Sequence, residues 1–143
     1  MKNILIPVDG SEYSMKAIDA AKEVAKAFDS KVLILSVVAP ELKISSGRGS
    51  NIYPAILMEE LIECSMKILE EAKNQFQGMS NQIETFSVQG NVADEIVRFA
   101  DENKVTLVVM GSHGLGALKN RLMTGSVTTR VLHHIDVPVL VIK

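Results

Sequence analysis

The chain has 143 residues, a length that suits one folded domain spanning residues 1–143. Hydrophobic residues make up 47% of the sequence and aromatic residues 4%, which excludes a disordered chain and predicts an aliphatic core. The 15 basic and 17 acidic residues leave a formal net charge of −2, so nothing in the charge points to a nucleic-acid or anionic-membrane partner.

Five short runs predict β-strands because they are apolar or alternating and rich in β-branched residues. In chain order these runs are Asn3–Val8, Lys31–Val38, Ile83–Val88, Val105–Met110 and Val137–Ile142. Four of them are almost continuously apolar, which is typical of parallel strands covered on both faces. The Ile83–Val88 run alternates instead, as an edge strand does.

The segments between these strands have the periodicity of amphipathic helices. The apolar residues assigned to the buried helix faces are Ala17, Ala21, Val24, Ala25 and Phe28, then Leu61, Ile68, Leu69, Ala72 and Phe76, then Val92, Ile96, Phe99 and Ala100, and finally Val127 and Val131. The second helix is predicted from about Tyr53 to Gln77 and the fourth from Ser126 to His134. Strands and helices alternate throughout, which predicts an α/β fold with a doubly wound sheet of five parallel strands. The segment Ala39–Asn51 is expected to be a surface loop, with a lid over a ligand as the alternative.

Cellular location and redox chemistry follow from two negative observations. The N-terminal apolar run Ile4–Ile6 is much shorter than the core of a signal peptide and stops at Pro7, and no apolar stretch is long enough to cross a bilayer. A cytoplasmic protein is therefore expected. The single cysteine, Cys64, excludes an intramolecular disulfide, and its apolar neighbours predict that it is buried.

Glycines and a helix start dominate the segment after the fourth strand, and ligands of parallel sheets bind beyond the carboxyl ends of the strands. Gly111, Gly114 and Gly116 let the backbone approach a ligand closely, and Gly125-Ser126 opens a helix whose first amides favour an anion. A cradle for a polyphosphate is one interpretation. The alternative is that the glycines only shape a turn and that a hydroxyl residue caps the helix.

This glycine-rich segment matches neither of the two common phosphate motifs. Gly111 and Gly116 have the first spacing of a P-loop, but Ala117-Leu118 follows where Lys-Ser or Lys-Thr is required. The dinucleotide fingerprint also fails, because Lys119 stands where the third glycine would be. Any phosphate site here is not an ordinary P-loop.

Several ionisable residues have a functional and a structural interpretation. Asp9, after the first strand, is suited to bind ribose hydroxyls or an adenine amino group, or to cap the first helix as part of a capping box. His113 is suited either to contact a phosphate or to be an exposed loop residue, and the second is expected. His133 and His134 are expected to cap the end of the last helix rather than bind a metal. The cations that would neutralise phosphate or simply lie at the surface are Lys119, Arg121 and Arg130. No catalytic residue is assigned, since no nucleophile–base or paired-carboxylate pattern is evident.

Taken together, three segments resemble the universal stress protein family over essentially the whole chain. They are Ile4–Ser11, Leu107–Gly114, and Gly125–Val127 followed by Val137–Val141. The ATP-binding branch of that family carries Gly, two residues, Gly, nine residues, then Gly and Ser or Thr. In this chain ten residues separate Gly114 from Gly125, so one residue is inserted between Leu115 and Thr124.

The resemblance implies a Rossmann-like sheet with strand order 3-2-1-4-5, helices on both faces, and a homodimer joined through strand 137–142. It implies ATP as the ligand, with an accompanying Mg²⁺ left open. The implied nucleotide-binding residues are Pro7, Val8, Asp9, Val37, Met110, Gly111, Gly114, Gly125, Ser126 and Val127. The implied function is a nucleotide-dependent switch or scaffold in the stress response. The alternatives are a dimeric scaffold without nucleotide, and a slow ATPase or phosphotransferase.

Overall fold

The structure, a computed structural model, describes residues 2–39, 55–114 and 125–143. Its elements in chain order are β1 Asn3–Pro7, α1 Glu12–Phe28, β2 Lys31–Val38, α2 Ala55–Asn74, β3 Ile83–Gln89, α3 Val92–Glu102, β4 Leu107–Gly111, α4 Ser126–His134 and β5 Val139–Ile142. The predicted alternation of strands and helices is thus confirmed. Several strand ends differ from the predicted ones by one or two residues. The predicted loop, apart from Ala39, and the expected start of the second helix at Tyr53 lie outside the described residues.

All five strands are parallel and lie in the order β3-β2-β1-β4-β5, which confirms the fold class. Leu5 in the central strand β1 is paired with Leu33 of β2 on one side and with Val108 of β4 on the other. β3 lies at one edge, as its alternating sequence predicted. The chain winds outward from β1 to β3 and then returns to β4 on the other side of β1, so the order of the strands reverses between β1 and β4.

Residues of β1 alternate between two separate cores, which explains why the strand is continuously apolar. Ile4 and Ile6 pack with α1 and α2, whereas Leu5 packs with α3 and α4 on the other face. All three side chains are fully buried. Because each face of the sheet is covered by two helices, a polar residue at any of these positions would lose its water without gaining a partner.

The first and third helices begin at polar caps. The Ser14 N–H donates to Oγ of Ser11 at 3.2 Å, and the Asp94 N–H donates to Oδ1 of Asn91 at 3.1 Å. These bonds satisfy amides that the helix itself leaves unpaired. The cap of α1 is therefore Ser11 and not Asp9, which corrects the proposed capping box and leaves Asp9 two residues outside the helix.

Two predictions of burial are wrong. Cys64 is exposed, because α2 packs on the sheet through Ser65, Leu69 and Ala72, and Cys64, which precedes Ser65, points about 100° away around the helix. Phe28 is 57% exposed, because α1 ends there and the chain reverses at Asp29 in the left-handed conformation. The apolar residues that are close to Cys64 in sequence do not cover its side chain.

Candidate functional site

The candidate site lies where the strand order reverses, at the carboxyl ends of β1 and β4. Loops from adjacent strands diverge to opposite faces of the sheet at this point, which leaves a cleft between them. Pro7, Val8 and Asp9 leave β1 on one side of the cleft, and Ser112 to Gly114 leave β4 on the other. The Val8 N–H donates to the carbonyl of Leu35 at 2.8 Å, which fixes the backbone just before Asp9.

Asp9 is held in place by the turn that leads into α1. Its Oδ1 accepts a hydrogen bond from the Ser11 N–H at 2.9 Å. The intervening Gly10 has φ +82°, a left-handed conformation that side chains rarely adopt, and a Cβ added there would lie 3.2 Å from Ile68 of α2. The turn therefore favours glycine, and it holds one carboxylate oxygen of Asp9 against the amide of the N-cap residue of α1.

Gly114 brings the loop after β4 against the Asp9 carboxylate. A Cβ atom added at Gly114 would lie 2.5 Å from Oδ2 of Asp9. The two loops approach this closely only because residue 114 has no side chain. The sequence prediction that these residues share one site is consistent with this approach, whereas their contact with a nucleotide stays a prediction.

Gly111 has a different role from the one suggested by its position in the motif. A Cβ added at Gly111 would lie 2.6 Å from Cβ of Tyr13 and 2.9 Å from its carbonyl carbon, so the missing side chain makes room for the first turn of α1. The glycine at 111 is thus explained by helix packing, without a ligand.

The start of α4 meets the loop after β4 directly, as the sequence predicted. The Gly125 N–H donates to the carbonyl of Ser112 at 2.6 Å, and the buried Thr128 hydroxyl donates to the carbonyl of Gly111 at 2.9 Å. A Cβ added at Gly125 would lie 3.3 Å from Cα of His113. Two stretches that are well separated in sequence therefore form one surface.

Two of the amides expected to face an anion are occupied within the protein. The Gly125 amide is bonded to Ser112, and the Ser112 amide donates to the carbonyl of Ile142 at 2.7 Å. Gly125 is the N-cap of α4 and has no side chain to cap the helix. The amides suited to an anion are consequently those of the first turn, at Ser126 and Val127, rather than both ends of the proposed cradle.

The remaining predicted residues lie at the carboxyl ends of β2 and β4. Val37 is half-buried against the core beneath α3, and the Met110 side chain is buried in that same core. Lys119, Arg121, Thr124 and the inserted residue lie outside the described residues. Arg130 forms an exposed ion pair with Asp94 of α3, with the two charged groups 3.0 Å apart.

Three side chains that the sequence did not assign to the site contact one another beside the glycines. The His113 ring lies 5.1 Å from the Tyr13 ring, and its Nδ1 lies 2.9 Å from Oγ of Ser112. His113 is half-buried and not an exposed loop residue, which corrects the expectation. The position of Tyr13 in the first turn of α1 was the only signal in the sequence, and it gives no indication of a contact with residue 113.

Metal binding and membrane insertion have no support in residues 2–39, 55–114 and 125–143. No three His, Cys, Asp or Glu side chains in these ranges are arranged to hold a metal ion, and none of their helices combines the length and hydrophobicity that crossing a bilayer requires. The His134 Nδ1–H donates to the Arg130 carbonyl at 2.8 Å, which confirms that this histidine caps the end of α4.

A doubly wound parallel sheet with a glycine-rich cleft at its reversal point defines a class of α/β proteins that bind ligands at the strand ends. The universal stress protein family model matches residues 1–143, and the chain belongs to that family. It is 35% identical to universal stress protein MJ0531 of Methanocaldococcus jannaschii, over 99% of this chain and 82% of that protein.

Solved structures of relatives have the same fold. The structure of MJ0577, from the same archaeon, superposes with a TM-score of 0.85 at 31% identity, covering 99% of this chain and 95% of that chain. A universal stress protein solved in complex with cAMP superposes with a TM-score of 0.73 at 28% identity, covering 99% and 97%. The fold and the family inferred from the sequence are therefore confirmed.

Proposed function

We propose that this chain is a cytoplasmic stress-response protein that binds an adenine nucleotide, ATP, in the cleft between β1 and β4. The observation that carries the proposal is the convergence of the Asp9 carboxylate, the Gly114 backbone and the start of α4 at one point. A nucleoside phosphate needs hydrogen-bond acceptors for its sugar or base and amide donors for its phosphates. A relative solved with cAMP supports the same ligand class.

Each predicted residue has a role in this proposal. Asp9 accepts hydrogen bonds from the adenosine part, since a carboxylate oxygen accepts more than one such bond. Pro7, Val8 and Val37 line the side where adenine lies, whereas Met110, Gly111 and Gly114 lie near the ribose and the first phosphates. Ser126 and Val127 hold the outer phosphates at the positive end of the α4 dipole, and Gly125 lets these phosphates approach without meeting a side chain.

The proposed activity is that of a switch or scaffold, with little or no turnover. A nucleotide that contacts the ends of β1, β4 and α4 favours one arrangement of these elements over any other, and partners that contact this surface would sense its occupancy. Family likeness does not by itself assign a reaction. Steady release of phosphate from purified protein, lost in Ser126→Ala, would instead support a slow ATPase or phosphotransferase.

A scaffold that binds no nucleotide is the second candidate, and one observation favours it. The amides of Ser112 and Gly125 are both occupied within the protein, which leaves fewer donors for phosphate than the motif suggests. The residue inserted between Leu115 and Thr124 is a departure from the ATP-binding motif, which also favours a scaffold without nucleotide.

We further propose that the protein is a homodimer joined through strand 137–142. β5 pairs with β4 on one side and lies at the edge of the described sheet, where Leu140 is 38% exposed, and Leu132 of α4 is 46% exposed. An apolar edge strand is protected when it pairs with a second copy. Light scattering should show a dimer for the parent and a monomer for Leu140→Lys, whereas Met66→Lys on exposed α2 should leave the dimer intact.

Titration calorimetry with ATP, AMP and cAMP, with and without Mg²⁺, tests the proposed site. We expect Asp9→Ala to weaken ATP binding by at least about tenfold, which is roughly 1.4 kcal/mol. The matched control is Asp19→Ala, an exposed carboxylate of α1 that pairs with Lys22 and should leave affinity unchanged. A parent protein that binds none of these nucleotides, and carries none when purified, would support the scaffold instead.

A further inference from the structure

The His113 ring is fixed beside the start of α4. Its Nδ1 is bonded to Oγ of Ser112, and one ring face lies against Tyr13. A Cβ added at Gly125 would lie 3.9 Å from Cδ2 of His113, the ring atom bonded to Nε2. The Cδ2 edge of the ring therefore lies beside the N-cap of α4.

The contact with Ser112 holds the ring in either protonation state. A serine hydroxyl donates to the bare Nδ1 of a neutral imidazole and accepts from the Nδ1–H of the cation. Ser112 is only 3% exposed, so this hydroxyl has little competition from water. The imidazole can change its charge without losing its position.

Among the residues that the structure describes, the charged groups near His113 come from the end of β1, from α1 and from the end of β5. At the end of β1 the Asp9 carboxylate lies against Gly114, the residue that follows His113. On α1, Lys16 lies 5.5 Å from the Tyr13 ring centre and pairs with Glu12 at 3.1 Å. The first turn of α4 has no ionisable side chain, and Lys143 follows the last paired residue of β5.

We infer that His113 takes up a proton when the nucleotide binds and donates a charged hydrogen bond from Nε2 to a phosphate, which makes the affinity rise as the pH falls. This inference rests on the proposed nucleotide site. Imidazole is the side chain that ordinarily titrates between about pH 5 and 8. A bound phosphate favours the imidazolium cation beside it, so binding and protonation are coupled.

Calorimetry of the parent and of His113→Gln with ATP tests the inference, because glutamine keeps a hydrogen-bond donor without the titratable charge. We expect the variant to bind about tenfold more weakly than the parent near pH 6, and equally well near pH 8.5. Protonation of ATP itself affects both proteins equally and cancels in this ratio. His133→Gln, at the other end of α4, is the matched control and should follow the parent at every pH.

Two further measurements separate the possible failures. Adenosine, which has no phosphate, should bind the parent and His113→Gln equally, and the NMR titration curve of His113 in the parent should move to higher pH on adding ATP while that of His133 does not. The inference is wrong, and the proposed function stands, if the parent binds ATP with two further results. These are an affinity ratio of parent to variant that does not change with pH, and a His113 titration curve that does not move on adding ATP. If the parent binds no ATP, both the inference and the proposed function are wrong.

Discussion

The hydroxyl of Thr128 donates a hydrogen bond to the carbonyl of Gly111, 2.9 Å away, and so joins the first turn of α4 to the last residue of β4. Thr128 is 2% exposed, and Gly111 is also buried. This bond sets how close the α4 amides come to the loop after β4. The geometry of the cleft therefore depends on a residue that no phosphate motif includes.

Replacing Thr128 with valine keeps the shape of the side chain and removes the hydroxyl. We expect a loss of about 1–3 kcal/mol in the free energy of unfolding, because a buried carbonyl loses its donor. Urea denaturation of Thr128→Val and of Thr129→Val, the exposed neighbour, measures this. The control should stay within about 0.5 kcal/mol of the parent. Equal stability of Thr128→Val and the parent would contradict the role given to this bond.

Replacing Gly114 with alanine places a methyl group against the Asp9 carboxylate, 2.5 Å from Oδ2. We expect ATP binding to be lost, since Asp9 must move, with a destabilisation of about 1–3 kcal/mol from overpacking. Calorimetry and urea denaturation measure the two effects.

The double variant Asp9→Ala, Gly114→Ala distinguishes this clash from a general defect of the loop. Removing the carboxylate should restore most of the lost stability, so the two substitutions should be clearly non-additive. Strictly additive losses would show that the methyl group disturbs something other than Asp9.

The cap of α1 is tested by Ser11→Ala, which removes the acceptor for the Ser14 N–H. We expect a loss of about 1 kcal/mol, while Ser11→Asp should retain most of the stability because aspartate is an equally good N-cap. Thermal and urea unfolding report both values. If Ser11→Asp is as unstable as Ser11→Ala, the Ser11 hydroxyl has a role other than capping α1.

Arg130 is expected to make no contribution to phosphate binding, since its guanidinium pairs with Asp94 on the surface of α3. Arg130→Met should leave ATP affinity within about twofold and cost at most about 1 kcal/mol of stability, as exposed ion pairs generally do. Calorimetry at two salt concentrations checks this. A tenfold loss of affinity would place Arg130 in the site after all.

The patterns that the sequence encodes locally predicted the alternating strands and helices and the parallel sheet, whereas the strand order came from the family resemblance. The continuous apolar run of β1 follows from a sheet covered on both faces, and the alternating run of β3 follows from its place at the edge. The glycines and the start of α4 also indicated where a site would lie, because the ends of parallel strands meet at one edge of the sheet.

Only the tertiary structure decided what each of these residues does. Gly111 makes room for Tyr13 and Gly114 makes room for Asp9, although the two glycines are equivalent in the motif. Cys64 is exposed among apolar neighbours, and His113 is held by Ser112 and Tyr13. Periodicity and turn chemistry are properties of neighbouring residues, whereas these contacts depend on how α1 and α4 pack against β4.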